Sequence, residues 1–216
     1  MKKTTKKIYE ELFQRYPGVL SVKKNVFHAF ELIKTTYENG GTLYCAGNGG
    51  SASDSEHIVG ELLKSFKKRR VVDETTTNNL LSYGEDGKYL LNKLEGSLPA
   101  VSLISQLGIM TAFANDKSWD TAIAQQLYGL GKKNDCLLVL STSGNSKNCV
   151  YAVLLAKAKG IKTIAFTGIG GGQLKKICDE CVCVSEKETY KVQELHLPIY
   201  HCLCAMLEEE FFNDNN

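Results

Sequence analysis

The chain has 216 residues, a formal net charge of +2, 43% hydrophobic residues and 23% charged ones. That length suits one good-sized core, and the near-neutral balance points to neither nucleic acid nor an acidic surface while leaving a small anionic ligand open. No apolar run is long enough to span a bilayer, and the basic start Met1-Lys2-Lys3-Thr4-Thr5-Lys6-Lys7 lacks the apolar stretch of a secretory leader, so a cytoplasmic location is expected.

Two helices are expected first. One covers about 5–15 and stops at Pro17-Gly18. The next begins at Ser21 as N-cap and stops at Asn39-Gly40-Gly41. Phe27, Phe30, Leu32, Ile33 and Tyr37 make it amphipathic, so residues 1–40 should pack on the core or on a neighbouring subunit. A strand–glycine turn–helix unit follows. The strand is 42–46, the turn Gly47-Asn48-Gly49-Gly50-Ser51, the helix about 52–66. The stretch 67–96 is polar and charge-rich, an excursion with room for a short helix, and its Lys67-Lys68-Arg69-Arg70 run reads as solvated surface. A strand is expected at 99–103, another at 135–140, then a Ser-rich turn and a helix over 147–159 ended by Gly160. Strands at 161–166 and 181–184 follow, and a long helix over 189–212 should kink at Pro198, which has no N–H to donate to the Glu194 carbonyl. Five strands alternating with helices predict an α/β fold: a parallel sheet covered on both faces, in a single domain over 1–216.

Eight cysteines raise metal and disulfide readings. Cys45, Cys136, Cys181 and Cys183 fall in strand-like runs, and Cys149, Cys202 and Cys204 in helix-like ones. The run Cys178-x-x-Cys181-x-Cys183 has no second Cys or His pair at zinc-knuckle spacing. Buried thiols acting as small hydrophobes, reduced in the cytosol, explain them best.

The loop Ser141-Thr142-Ser143-Gly144-Asn145-Ser146 lies between a buried strand and a helix. Its hydroxyls, the free N–H groups of the following helix and the positive end of that helix form an anion site at a strand's carboxyl end. An ordinary N-cap explains one hydroxyl and leaves the others without a reason. Gly47-Asn48-Gly49-Gly50-Ser51-Ala52 also fits the dinucleotide pattern G-x-G-x-x-A, but no acidic residue ends a strand some 20 residues on, so a nicotinamide enzyme ranks third. His57 and Glu61 share a helix face by their i, i+4 spacing, which suits proton transfer or metal binding as well as a plain surface pair. Gln193 and His201 are about 80° apart around an ideal helix, so spacing alone does not select them. His196 and Glu194 read equally well as surface residues.

Taken together, Gly47 to Ala52, His57, Glu61, Asn115-Asp116, the 141–146 loop, Gln193-Glu194-x-His196 and His201 resemble the sedoheptulose 7-phosphate (phosphoheptose) isomerases of the sugar isomerase, or SIS, superfamily. The likeness spans nearly the whole chain in order. It implies a three-layer α-β-α SIS fold with a five-stranded parallel sheet, and a homotetramer with sites shared between subunits. It implies that Ser141, Thr142, Ser143 and Ser146 hold phosphate. Asn48, Gly49, Gly50, Ser51, Asn115 and Asp116 would line the sugar with Glu61 and Gln193. His57, Glu61, Gln193 and His201 match the family's zinc ligands, and Glu61 and His201 its proton-transfer pair. The chain departs from the family in the length of 67–96 and in Lys191, where many members carry arginine. The competing reading is a non-catalytic SIS module that binds a sugar phosphate or a protein partner, as the replication-initiator-associating proteins do.

Overall fold

The computed structural model describes residues 1–212. Five parallel strands form one sheet in the order β2-β1-β3-β4-β5: β1 Leu43–Ala46, β2 Ala100–Ser102, β3 Cys136–Leu140, β4 Lys162–Thr167 and β5 Glu180–Cys183. Successive side chains of a strand face opposite sides, and here each side has its own core. Leu43, Cys45, Cys136, Leu138, Leu140, Ile164 and Phe166 join one cluster, closed by α1 Lys3–Arg15, α2 Lys23–Glu38, α3 Gly50–Leu63 and α10 Thr189–Phe211. Tyr44, Ala46, Leu137, Val139 and Ala165 join the other, closed by α6 Leu107–Asp116, α7 Ala122–Leu130, α8 Lys147–Ala158 and α9 Leu174–Ile177. Strands buried on both faces read as unbroken apolar runs, which is why they are visible in the sequence.

The opening helices pack on the core, through Tyr9, Leu12 and Phe13 of α1 and Val26, Phe30 and Ile33 of α2. Ser21 does not cap the second helix. Pro17–Val22 forms a 3-10 turn, α2 starts at Lys23, and the Ser21 hydroxyl meets that of Ser185 at 3.1 Å. Pro at the head of the turn sets its φ and removes an N–H that would have no partner there. The stretch 67–96 carries two short helices, α4 Glu74–Leu81 and α5 Gly84–Leu91, with only Gly87 buried in them. Helices α6 and α7 add to the elements expected from sequence; the polar turn 117–121 interrupts their apolar pattern. Pro198 stands inside α10 without ending it.

The Lys67–Arg70 run is not uniformly solvated. Arg70 is 1% exposed. Its Nε donates to Glu208 Oε1 at 2.8 Å, its Nη1 to the Leu62 carbonyl at 2.6 Å and its Nη2 to the Glu61 carbonyl at 2.8 Å. The Glu208 carboxylate also accepts the Phe66, Lys67 and Lys68 amides. A local charge run looks like surface because the carboxylate that buries it lies 138 residues away.

Candidate active site

The strand order reverses direction at β1 and β3, which are hydrogen-bonded neighbours. Chain leaves β1 toward β2 and returns past β1 to reach β3, so the crevice at their carboxyl ends is the switch point where open α/β sheets bind ligands. The loops after these two strands are the Gly47–Ser51 turn and the 141–146 loop.

In the 141–146 loop, Gly144 donates to the Ser141 carbonyl at 2.9 Å to close a turn, with φ +66° at Gly144. A side chain there would also meet the Gly171 carbonyl at 2.1 Å, so only glycine fits. Ser146 occupies the N-cap of α8, yet its side chain caps nothing; its hydroxyl is 2.9 Å from that of Ser141. The plain N-cap explanation therefore fails: at the head of this twelve-residue helix the side-chain acceptor is Asn148 Oδ1, which takes the Cys149 amide at 3.0 Å, and not the Ser146 hydroxyl. Ser143 Oγ accepts the Asn145 amide, and Thr142 is half-buried at the mouth.

The first glycine loop is bolted to the second. Asn48 and Asn148 exchange side-chain amide hydrogen bonds at 3.0 and 2.8 Å. Asn148 was not singled out by sequence; no local pattern distinguishes it from any polar residue in a helix's first turn. Gly49 takes φ +55° as the chain enters α3. Gly50 lies directly under Gln193, where a Cβ would stand 2.7 Å from Nε2, so Gln193 is held over the start of α3. Ser51 is buried, its amide donating to the Asn48 carbonyl.

His57 and Glu61 lie further along α3 and meet His201 of α10. His57 Nε2 is 3.3 Å from Glu61 Oε1 and 3.5 Å from His201 Nε2. The other nitrogen of His57, Nδ1, is 3.0 Å from the Tyr200 hydroxyl, which itself donates to Asp54 Oδ1 at 3.2 Å. Because that hydroxyl's proton goes to Asp54, Nδ1–H of His57 donates to the Tyr200 oxygen, which in a neutral ring leaves the lone pair on Nε2. That lone pair faces a carboxylate oxygen. Two acceptors 3.3 Å apart call for a proton or a cation between them. Glu61 Oε2 is buried without a hydrogen bond, the Lys64 ammonium standing 3.5 Å away. Burial lowers the His201 pKa, the nearby His57 adding to the effect and Glu61 opposing it. Burial raises the pKa of Asp54, and burial with Asp54 beside it raises that of Tyr200.

Two ligands at about 2.1 Å on a tetrahedral ion stand roughly 3.4 Å apart, close to the spacing of His57 Nε2 from its two neighbours. Among the described residues no three His, Cys, Asp or Glu side chains form a finished cage. The donors still suit such an ion in type: two imidazoles and a carboxylate, while the Gln193 amide stands over Gly50, eight residues before His201 on α10. The Tyr200–Asp54 pair supplies the outer hydrogen bond that orients a ligating histidine.

Asn115 and Asp116 stand exposed at the end of α6, hydrogen-bonded to each other at 3.0 Å. Among the described residues, no hydrogen bond joins them to either cluster. A cleft of about 350 Å³ between α1 and α10 is lined in part by His201, Phe66 and Lys67, but by no residue of 141–146. The 141–146 loop and the histidine cluster thus meet through the Asn48–Asn148 bolt and helix α3, not through one enclosed cavity. His196, read as a surface residue from sequence, is fully buried, its Nε2–H donating to the Thr167 carbonyl at 3.3 Å. Lys191 is an exposed partner of Glu188.

The SIS domain profile matches residues 96–168. The chain is 32% identical over 197 residues to a phosphoheptose isomerase of Akkermansia muciniphila, covering 91% of each chain. It is 33% identical over 209 residues to one of Nitratiruptor sp., covering 97% of this chain and 93% of the relative. Among solved structures, a phosphoheptose isomerase from Francisella tularensis is similar with a TM-score of 0.75 at 27% identity, covering 97% of this chain and all of the other.

Proposed function

The chain belongs to the phosphoheptose isomerase family, and from that premise we propose that it interconverts sedoheptulose 7-phosphate and D-glycero-D-manno-heptose 7-phosphate, the step that commits a ketose phosphate to heptose biosynthesis. It is a phosphosugar isomerase of the aldose–ketose type. The observation that carries the reading is the meeting of His57, Glu61 and His201 on α3 and α10, beside a glycine loop tied by Asn48–Asn148 to a phosphate-type loop. A non-catalytic module has no need of proton-transfer groups assembled from two helices.

The phosphate docks on Ser141, Thr142, Ser143 and Ser146 and on the first amides of α8. Asn48, Gly49, Gly50 and Ser51 then lie along the chain of the sugar, with Gln193 over Gly50 and Asn115 and Asp116 completing the wall. Glu61 takes a proton from C1 of the ketose while His201 gives one to the carbonyl oxygen at C2, leaving a 1,2-enediol. The O1 proton then leaves as the C1 carbonyl forms, and a proton is returned to C2. Burial and the nearby His57 shift His201 toward the neutral ring, the form left once it has given its proton. His57, Glu61, Gln193 and His201 would hold a zinc ion, which supplies positive charge to the enediolate oxygens when bound. His57, oriented through Tyr200 and Asp54, keeps its lone pair aimed at Glu61 and His201. The enzyme works as a homotetramer in the cytoplasm. Eight free thiols support the location, and no described helix is long and apolar enough to cross a membrane.

Proton NMR of sedoheptulose 7-phosphate incubated with the purified enzyme in D2O tests this reading. Anomeric signals of the aldose should grow in, with deuterium at its C2. No aldose signal from an active, folded preparation would sink the substrate assignment. Removing metal with a chelator should lower the rate at least tenfold, and added zinc should restore it; an unchanged rate in metal-free enzyme would remove zinc from the proposal.

A further inference from the structure

Cys181 and Cys183 lie two residues apart on β5, the edge strand, which pairs only with β4. That spacing turns both side chains to one face, and their sulfurs are 3.4 Å apart. The Thr167 hydroxyl donates to Cys183 Sγ at 3.3 Å and stands 3.7 Å from Cys181 Sγ. Cys183 is half-buried and Cys181 buried. The two thiols are unequal. A hydrogen bond from Cys181, then the Thr167 hydroxyl and the Lys175 ammonium, favour the Cys183 thiolate against burial, and the Cys181 proton is held correspondingly tightly. An accessible thiolate beside a protonated partner is the arrangement of an attacking and a resolving thiol. Cys178, the third cysteine of the run, has its pKa pushed up to about 12, chiefly by burial.

The pair touches the phosphate loop through one glycine. A Cβ at Gly171 would stand 2.8 Å from Cys183 Sγ, and the Gly171 carbonyl is what a Cβ at Gly144 would strike at 2.1 Å. Gly171 is thus wedged between the Cys183 sulfur and the 141–146 loop. The same segments are laced by Gly168 donating to the Thr142 carbonyl, Leu174 to the Gly144 carbonyl and Gln173 to Asn145 Oδ1.

We propose that Cys181 and Cys183 are a redox-active dithiol that low-molecular-weight disulfides oxidise, and that its closure loosens the 141–146 loop through Gly171. The Cys183 thiolate attacks a disulfide RSSR, forming Cys183–S–SR and releasing RS⁻. Cys181 then attacks the Cys183 sulfur, expelling the second RS⁻, and its proton goes to that leaving thiolate. Two electrons pass from the pair to RSSR, and two RSH result once the solvent supplies the remaining proton. Residues two apart on a strand are about 6.6 Å apart at Cα, near the upper end of the disulfide range of roughly 4.4–6.8 Å. Closure therefore puckers the edge strand, which no further strand among the described residues holds flat, and shifts the sulfur on which Gly171 rests. The second half of the proposal rests on the reading of 141–146 as the phosphate loop; the first half does not.

The intact enzyme is equilibrated with mixtures of reduced and oxidised glutathione, alkylated and digested with trypsin. The peptide 177–187 should lose two hydrogens, with fragment ions placing the bond between Cys181 and Cys183 and the alkyl group on Cys178. C181S should instead accumulate glutathione on Cys183, and C183S should take up none in this peptide. A bond to Cys178, or a peptide that stays reduced while other cysteines oxidise, overturns the dithiol. In parallel, the oxidised enzyme should bind inorganic phosphate at least fivefold more weakly, and C181S/C183S should show no such change. Oxidation with unchanged phosphate affinity overturns the coupling through Gly171. Phosphate binding is read directly, so a wrong sugar assignment would leave both answers intact.

Discussion

Glu61 has one carboxylate oxygen 3.3 Å from Nε2 of His57 and the other buried without a hydrogen bond. Glutamine keeps its shape and removes its basicity. Glu61→Gln should therefore lower turnover on sedoheptulose 7-phosphate by about 10²–10⁴-fold, with an unchanged circular dichroism spectrum; wild-type turnover would exclude Glu61 as the base. His196 illustrates the opposite use of an imidazole. Burial lowers its pKa to about 4, against about 6.5 for an unfolded histidine. Its neutral form is the folded one, so the stabilisation is complete above pH 6.5 and drains away as the pH falls toward 4. The loss by pH 4 is about 3 kcal/mol. Urea midpoints measured from pH 7 to pH 4 should fall more steeply for the wild type than for His196→Phe. Parallel curves would show that this histidine is not what acid attacks.

Helix α3 carries the glycine-loop entry at its start and Glu61 near its end, so its placement decides the site. Its last carbonyls include those of Glu61 and Leu62, and Arg70 satisfies both while its Nε donates to Glu208 of α10. Cations suit helix C-termini, but here the cation is also fully buried and paired. Replacing it with methionine leaves Glu208 a buried carboxylate without its cation, held by the Phe66, Lys67 and Lys68 amides. Arg70→Met should cost about 3–5 kcal/mol in urea unfolding, and a turnover loss should accompany it as Glu61 loses its anchor. A stability change below about 1 kcal/mol would mean that solvent reaches the Glu208 carboxylate. Local pattern marked α3 correctly, because a strand, a glycine turn and an amphipathic run are all short-range signals. It mistook Arg70 for surface because a charge run carries no mark of a carboxylate 138 residues on.

The two-faced sheet leaves several large apolar groups outside its cores, among them Tyr83 just before α5, Leu107 on α6 and Tyr128 on α7. Groups of this kind are what subunit contact in the proposed homotetramer would cover. Light scattering on the eluting enzyme should give about four times the 23.8 kDa of one chain. Full activity from a species of single-chain mass would refute shared active sites.

By itself the sequence determined the alternation of strands and helices, the parallel sheet, and the glycine and serine turns at strand ends. These follow from side-chain period and backbone dihedral preference, which act over a few residues. Only the tertiary structure decided which polar groups meet. The spacing of His57 and Glu61 could not say whether they were surface or site until His201, 144 residues on, closed against them. Nor could it pick out Tyr200 and Asp54 behind His57, or Asn148 against Asn48, or the sulfur of Cys183 under Gly171. Such contacts join helices and loops across the sheet, and their partners are set by the packing of whole elements.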